Sequence, residues 1–140
     1  MQNNAISMTI FQKTMSKALK GVVVSHGDVG SALVEAVHAI TGDDRALVAV
    51  SNEGCSRDSL GLRVSEAAGD GDCILFVDLP GGSCLLAAAR FQREHSSSTV
   101  VAGVNLAMLL DFVHHRNADI SEAAARAVKV GAGAIRLIGE

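Results

Sequence analysis

Four short apolar runs, rich in β-branched residues, recur along the chain and limit what it can fold into. They cover residues 21–25, 46–51, 73–79 and 98–104. Within each run consecutive residues are mostly apolar instead of alternating with polar ones, which is typical of strands buried on both faces of a parallel sheet. A stretch of helical character follows each run, and this alternation predicts an α/β fold with helices on both faces of the sheet.

The segments between the apolar runs indicate where the helices begin and end. Residues 28–40 start at a side chain that can cap a helix, either Asp28 or Ser31, and are followed by Gly42, which favours a helix stop. Their apolar residues also recur at helical spacing along one face. Further helices are expected over residues 57–67, 85–94, 107–115 and 120–130.

We therefore predict a single-domain, doubly wound open sheet of four mainly parallel strands with helices on both faces. Residues 134–138 are apolar enough to add a short C-terminal edge strand. Residues 1–20 are predicted to be a flexible N-terminal lead-in, and the folded domain is expected over residues 21–140.

Composition excludes several classes of function. The formal net charge is −3, no cluster of Lys and Arg is present, and the chain has no Trp or Tyr; nucleic-acid binding is therefore not expected. No apolar run reaches the roughly 18 residues that a membrane-spanning helix needs, so no membrane insertion is expected. The three cysteines form no CxxC pair, which favours a reducing, cytoplasmic location. Neither a phosphate-binding loop for nucleotides nor a zinc-ligand spacing occurs, and we expect no cofactor and no metal.

Polar side chains follow the first and third apolar runs, where a doubly wound sheet places its ligands. His26 follows the first run and Asp78 ends the third. The strand order common in such sheets makes these two strands neighbours, so His26 and Asp78 should face each other across one crevice. A carboxylate bound to one ring nitrogen fixes the histidine tautomer and leaves the other nitrogen free to act as a nucleophile.

A glycine turn follows Asp78 and completes the predicted site. Backbone amides at Gly81, Gly82 and Ser83 precede a helix, where they suit a dianionic phosphoryl group. Phosphoryl transfer needs positioning and charge stabilisation more than acid–base chemistry. The pattern thus favours a phosphoryl group carried on His26.

Three motifs in this order resemble the enzyme IIA component of the mannose family of the sugar phosphotransferase system. They are VVVSHG at residues 22–27, ILFVDLPGGS at 74–83 and VAGVNLAML at 101–109. The resemblance covers roughly residues 20–140. It implies a doubly wound fold and often a homodimer in which the last strand pairs across subunits, for which residues 134–138 are the candidate.

The resemblance also implies the chemistry of the site. His26 would be phosphorylated by the histidine phosphocarrier protein, Asp78 would orient the ring, and Gly81, Gly82 and Ser83 would contact the phosphoryl group. The phosphoryl group would then pass to a histidine of a IIB domain, which is expected on a separate protein. The chain departs from the family at Cys84, where proline is common, and at residues 79–80, where the family often has a Thr-Trp pair.

Other interpretations remain open from the sequence. The same fold can serve as a regulatory module switched by phosphorylation, or as the phosphoryl-donor subunit of a dihydroxyacetone kinase. His26 can be an ordinary loop histidine, Asp78 a helix-capping carboxylate, and Ser83 either a helix cap or a phosphate ligand. Cys84 next to a histidine and a carboxylate raises the alternative of a thiol-dependent enzyme, because a helix N-terminus lowers a thiol pKa.

Overall fold

A computed structural model describes residues 18–139. Four strands form one sheet in the order β2-β1-β3-β4, and every neighbouring pair is parallel. The strands are β1 (Lys20–Ser25), β2 (Leu47–Ser51), β3 (Cys73–Val77) and β4 (Thr99–Ala102). This order confirms the predicted doubly wound sheet.

Five helices connect and follow these strands. They are α1 (Val29–Thr41), α2 (Arg57–Ala68), α3 (Ser83–Glu94), α4 (Leu106–His114) and α5 (Ile120–Gly133). Gly42 ends α1 in the left-handed conformation, with φ 75°, as predicted. Asp28 occupies the N-cap position of α1 but its side chain makes no capping hydrogen bond. Ser31 lies inside the helix, so neither predicted side-chain cap is formed.

The sheet is buried on both faces, as the uninterrupted apolar runs predict. Val23 and Phe76 point into a core shared with α1, α4 and α5. Val22 and Leu75 point the other way, into a core shared with α2 and α3. Phe76 meets Phe112 edge to face, with ring centroids 5.2 Å apart. Phe91 adds a third aromatic ring, and the rest of the core is mostly aliphatic. Removal of this apolar surface from water holds the helices against the sheet.

The predicted C-terminal edge strand is wrong for the single chain. Helix α5 extends to Gly133, beyond its expected end, and residues 135–138 that follow are neither helix nor strand. A strand needs a sheet edge to pair with, and within the described residues this segment pairs with neither edge strand, β2 nor β4. Ile135, Leu137 and Ile138 are left 80%, 78% and 86% exposed.

The folded region begins slightly before residue 21. Lys20 is the first residue of β1, and Leu19 is buried. The backbone N–H of Leu19 donates to the carbonyl of Arg116 at 2.8 Å, and Arg116 Nε donates back to the Leu19 carbonyl at 2.7 Å. Residues 1–17 of the predicted lead-in lie outside the described residues. Within residues 18–139, every helix is too short or too polar to cross a bilayer.

Candidate functional site

The site lies where β1 and β3 end side by side. Val24 pairs with Val77 in the parallel register, so the residues that follow them emerge at the same edge of the sheet. Helix α1 follows β1 and packs on one face of the sheet, whereas α3 follows β3 and packs on the other face. A crevice therefore opens between the starts of the two helices. This is the topological switch point at which open α/β sheets bind their ligands.

His26 and Asp78 meet in this crevice, as the strand order predicted. Asp78 Oδ2 accepts a hydrogen bond from the backbone N–H of His26 at 2.9 Å and lies 2.9 Å from ring Nδ1. One carboxylate oxygen thus holds both the backbone and the ring of the same residue. Because an ionised carboxylate only accepts, the network assigns the ring proton to Nδ1.

The environment of Asp78 keeps its carboxyl ionised. Burial by itself raises the pKa of Asp78, but the hydrogen bonds from the His26 backbone and ring outweigh it, and the net pKa lies below the ordinary value. The side chain is 13% exposed. Its second oxygen, Oδ1, is buried and accepts no hydrogen bond from residues 18–139.

The second ring nitrogen of His26 is left as the available nucleophile. With the proton on Nδ1, Nε2 carries the lone pair. No hydrogen bond from a described residue reaches Nε2, and the His26 side chain is 42% exposed. An approaching partner can therefore reach Nε2 while Asp78 holds the opposite side of the ring.

The glycine turn after Asp78 passes close to this nitrogen. Gly82 adopts φ 89° and caps α3, and a Cβ built on it would lie 3.9 Å from His26 Nε2. The first turn of α3 therefore begins next to the ring, with free backbone N–H groups that favour an anion. The structure does not support Ser83 as the helix cap, because Gly82 is the N-cap of α3. It does not support Asp78 as a capping carboxylate either, because no side chain makes a capping hydrogen bond to this helix.

Two further residues, Ser25 and Asn52, shape the turn after His26, and the sequence analysis assigned them no role. Ser25 Oγ accepts from the backbone N–H of Gly30 at 2.7 Å, in a space that a Cβ on Gly30 would fill. Asn52 Oδ1 accepts from the Gly27 N–H at 3.2 Å, and its Nδ2 lies 3.5 Å from Ser83 Oγ. Both are polar residues at the carboxyl ends of strands, and this position is the sequence feature by which they could be identified.

A family model described as the PTS system fructose IIA component matches residues 20–129. The match covers most of the chain and includes His26, Asp78 and the glycine turn. The chain belongs to this IIA family, EIIA-man. A comparison with curated proteins gives no match.

Solved structures with the same fold include other IIA proteins. The mannose/sorbose specific IIA subunit from Enterococcus faecalis is 27% identical with a TM-score of 0.74, covering 87% of this chain and 96% of that one. The phosphotransferase system component EIIA from Streptococcus agalactiae is 18% identical with a TM-score of 0.79, covering 85% and 96%. A sigma-54 interaction domain protein from Enterococcus faecalis is 9% identical with a TM-score of 0.66, covering 81% and 90%.

Cys84 lies beside the histidine of this IIA protein. Its Sγ is 3.9 Å from His26 Nδ1, and the residue is fully buried. Burial, and then the negative charge of Asp78, raise the pKa of the Cys84 thiol. This is the opposite of the lowering expected at a helix N-terminus, because desolvation opposes the thiolate. The alternative of a thiol-dependent enzyme, which needs a reactive thiolate, is therefore not supported.

Spacing along the sequence pointed to no metal site, but the fold brings together three side chains of types that can bind a metal ion. One ligand atom each from His26, Asp78 and Cys84 lie within 4.8 Å of one another. No two of these residues form a familiar metal-binding spacing, so sequence inspection does not find the group.

A groove of about 630 Å³ opens next to the IIA site, between α2 and α3. Asn52, Gly82 and Ser83 form its end near the histidine. Its rim carries three exposed cations, Arg57, Arg90 and Arg93. Arg90 already lies 3.7 Å from carboxylate oxygens of Asp58 and Glu94, so the positive charge suited to acidic or phosphorylated groups comes mainly from Arg57 and Arg93.

Asn105 serves the scaffold of the IIA fold. Its side chain caps α4 by accepting from the Met108 N–H at 3.0 Å, and its Nδ2 donates to the Gly131 carbonyl at 2.9 Å. It thereby ties α4 to α5.

Proposed function

We propose that this IIA protein is a phosphoryl carrier that accepts a phosphoryl group on His26 Nε2. The donor is the histidine phosphocarrier protein, and the acceptor is a histidine of a separate IIB protein. The observation that carries the proposal is the paired contact of Asp78 Oδ2 with the His26 backbone N–H and Nδ1, each at 2.9 Å. That contact keeps the ring proton on Nδ1 and leaves Nε2 unprotonated, with its lone pair available on a partly exposed ring.

The chemistry follows from this arrangement. The lone pair of Nε2 attacks the donor phosphorus, a new N–P bond forms, and the N–P bond of the donor phosphohistidine breaks, leaving its electron pair on the donor ring. No proton moves on His26, because Nδ1 keeps its hydrogen and Asp78 stabilises the positive charge that develops on the ring. The backbone N–H groups at Gly82, Ser83 and the first turn of α3 hold the phosphoryl oxygens.

The same geometry supports the second step, in which the phosphoryl group leaves His26 for the acceptor. The phosphoryl group on Nε2 lies on the exposed side of the ring, where a second histidine attacks the phosphorus in line. The groove with Arg57, Arg90 and Arg93 gives both partners one docking surface, because each must present a phosphohistidine or its acceptor at the same crevice. Cytoplasmic location follows from these partners.

We also propose that the protein is a homodimer. Ile135, Leu137 and Ile138 lie in a C-terminal segment, defined as residues 135–138, and are 80%, 78% and 86% exposed in the described part of the single chain. Pairing of this segment with a second copy removes its apolar surface from water.

Regulation is the second candidate function. The similarity of fold to a sigma-54 interaction domain protein favours it, because this scaffold also occurs outside transport proteins. In that case phosphorylation of His26 switches binding to a protein partner and no IIB acceptor is discharged.

Labelling with phosphoenolpyruvate, enzyme I and the phosphocarrier protein tests the proposal. The wild type should gain one acid-labile phosphate, His26→Ala should gain none, and His38→Ala, with its exposed side chain on α1, should behave as wild type. A chase with IIB protein then separates the two functions, since a carrier loses its label to IIB. A wild type that stays unlabelled would contradict both functions.

A further inference from the structure

The buried thiol of Cys84, which the proposed phosphoryl transfer does not use, lies beside two other side chains that can bind a metal ion. One atom each from His26, Asp78 and Cys84 lie within 4.8 Å of one another, and the three atoms differ in kind: imidazole nitrogen, carboxylate oxygen and sulfur. We propose that these three residues form a site for Zn²⁺ or a divalent ion of similar preference.

The spacing of the three atoms fits a single tetrahedral ion. Zn²⁺ binds nitrogen and oxygen at about 2.0–2.1 Å and sulfur at about 2.3 Å, so neighbouring ligand atoms are about 3.3–3.6 Å apart. Two of the separations lie on either side of this range, with Nδ1 to Asp78 Oδ2 at 2.9 Å and Nδ1 to Cys84 Sγ at 3.9 Å, and the third is at most 4.8 Å. Side-chain rotations that draw Cys84 towards the other two residues bring the three atoms to one ion.

The carboxylate provides an independent indication of a cation. Asp78 Oδ1 is buried and accepts no hydrogen bond from the described part of the chain, although buried carboxylate oxygens are normally satisfied. An ion held by Oδ2 lies next to the other oxygen of the same carboxylate, and a carboxylate that binds the ion with both oxygens gives Oδ1 the partner it lacks. The donor set also favours Zn²⁺ over Mg²⁺ or Ca²⁺, which prefer oxygen ligands alone.

Binding at this site follows a definite proton balance. The Cys84 thiol loses its proton to solvent, the ring proton moves from Nδ1 to Nε2, and Nδ1 gives its lone pair to the ion. Three protein ligands leave a fourth coordination position open, as in zinc sites that exchange ligands.

Given the proposed function, on which this consequence rests, a bound ion prevents phosphorylation of His26. With a proton on Nε2 and Nδ1 bound to the ion, His26 has no free lone pair to accept a phosphoryl group. Zn²⁺ and phosphorylation are then mutually exclusive, and the ion inhibits the carrier. The metal site itself does not depend on phosphoryl transfer, so its test uses a spectroscopic readout.

Titration of the full-length protein with Co²⁺ alone tests the site. The wild type should show thiolate-to-cobalt charge-transfer absorption and the strong visible bands of four-coordinate Co²⁺, and one equivalent of Zn²⁺ should abolish both. The charge-transfer absorption should be lost in Cys84→Ala and retained in Cys55→Ala, because Cys55 is partly accessible, unlike the buried Cys84, and lies outside the group.

Cys84 is buried in the core, so Cys84→Ala can also disturb folding, and His26→Ala serves as a second variant. His26→Ala changes a half-exposed side chain, and it should weaken Co²⁺ binding more than about tenfold while circular dichroism remains that of the wild type. No thiolate band in the wild type would overturn the proposal, as would a band that survives in Cys84→Ala or disappears in Cys55→Ala. Failure of phosphoryl labelling leaves this result unaffected.

Discussion

Asp78 Oδ2 and His26 are joined twice, through the backbone N–H and through ring Nδ1, and each N···O distance is 2.9 Å. The backbone bond fixes where β1 ends, and the ring bond fixes how the imidazole is oriented. Both depend on the adjacency of β1 and β3 in the sheet. A single carboxylate oxygen therefore couples the fold of the crevice to its proposed chemistry.

Asp78→Asn should slow phosphorylation of His26 by about ten- to a hundredfold. A hydrogen bond to a charged group contributes about 1.5–3 kcal/mol, and tenfold in rate corresponds to about 1.4 kcal/mol. The measurement is the initial rate of phosphate incorporation. Asp43→Asn is the matched control, because Asp43 also has a lowered pKa but lies with Arg45 and Arg116, outside the crevice. Equal rates for wild type and Asp78→Asn would contradict the role given to this carboxylate.

Asp78 should also make stability depend on acid pH. Its pKa in the folded protein lies below the ordinary value of about 3.8, so the unfolded chain binds the proton more readily. Its contribution to stability is therefore complete above about pH 4 to 5 and is lost as pH falls through the lowered folded pKa. Urea unfolding of wild type and Asp78→Asn across acid pH measures this. The difference in the free energy of unfolding should shrink as pH falls, and a difference that grows would refute the prediction.

Gly82→Ala should impair both stability and phosphorylation. Its φ of 89° is rarely adopted by residues with a Cβ, at a cost of about 1–3 kcal/mol, and the new methyl group would lie 3.9 Å from Nε2. Gly81→Ala is the neighbouring control, because a Cβ at Gly81 meets nothing within 4 Å. Thermal unfolding and labelling rates should separate the two variants. Identical behaviour would show that the turn does not constrain the site.

Much of the fold can be predicted from the chain because burial on both faces dictates uninterrupted apolar strands. All four strands and five helices fall within a few residues of their expected positions. Residues 134–138 illustrate the limit, since an apolar run predicts a strand only when a partner strand is available. Within the described residues this segment pairs with neither edge strand of the sheet, β2 nor β4, so the same apolar pattern leaves Leu137 and its neighbours exposed.

The candidate site was only partly predictable for a related reason. The contact between His26 and Asp78 follows from strand order, which general rules of parallel sheets restrict. The approach of Cys84 to the ring depends on how far α3 begins beyond the glycine turn, and the bond from Gly27 to Asn52 depends on local turn geometry. Such side-chain details have no fixed spacing in sequence.

Disruption of the C-terminal segment should convert the proposed dimer to a monomer. Leu137 and Ile138 are 78% and 86% exposed in the single chain, and we propose that the dimer buries them. The double variant Leu137→Lys with Ile138→Lys places two charges there, and burial of these charges is unfavourable. Light scattering after gel filtration measures the mass. Leu62→Lys, which changes a 65% exposed leucine on α2, should leave the mass unchanged. A wild type that is monomeric at micromolar concentration would rule out the dimer.

The most direct test of the central claim is to locate the phosphoryl group on the labelled protein. Heteronuclear NMR of ¹⁵N-histidine-labelled protein, phosphorylated through enzyme I and the phosphocarrier protein, distinguishes the two ring nitrogens. Because Asp78 occupies Nδ1 at 2.9 Å, phosphorus should be found on Nε2 of His26. Phosphorus on Nδ1, or on any other residue, would contradict the account.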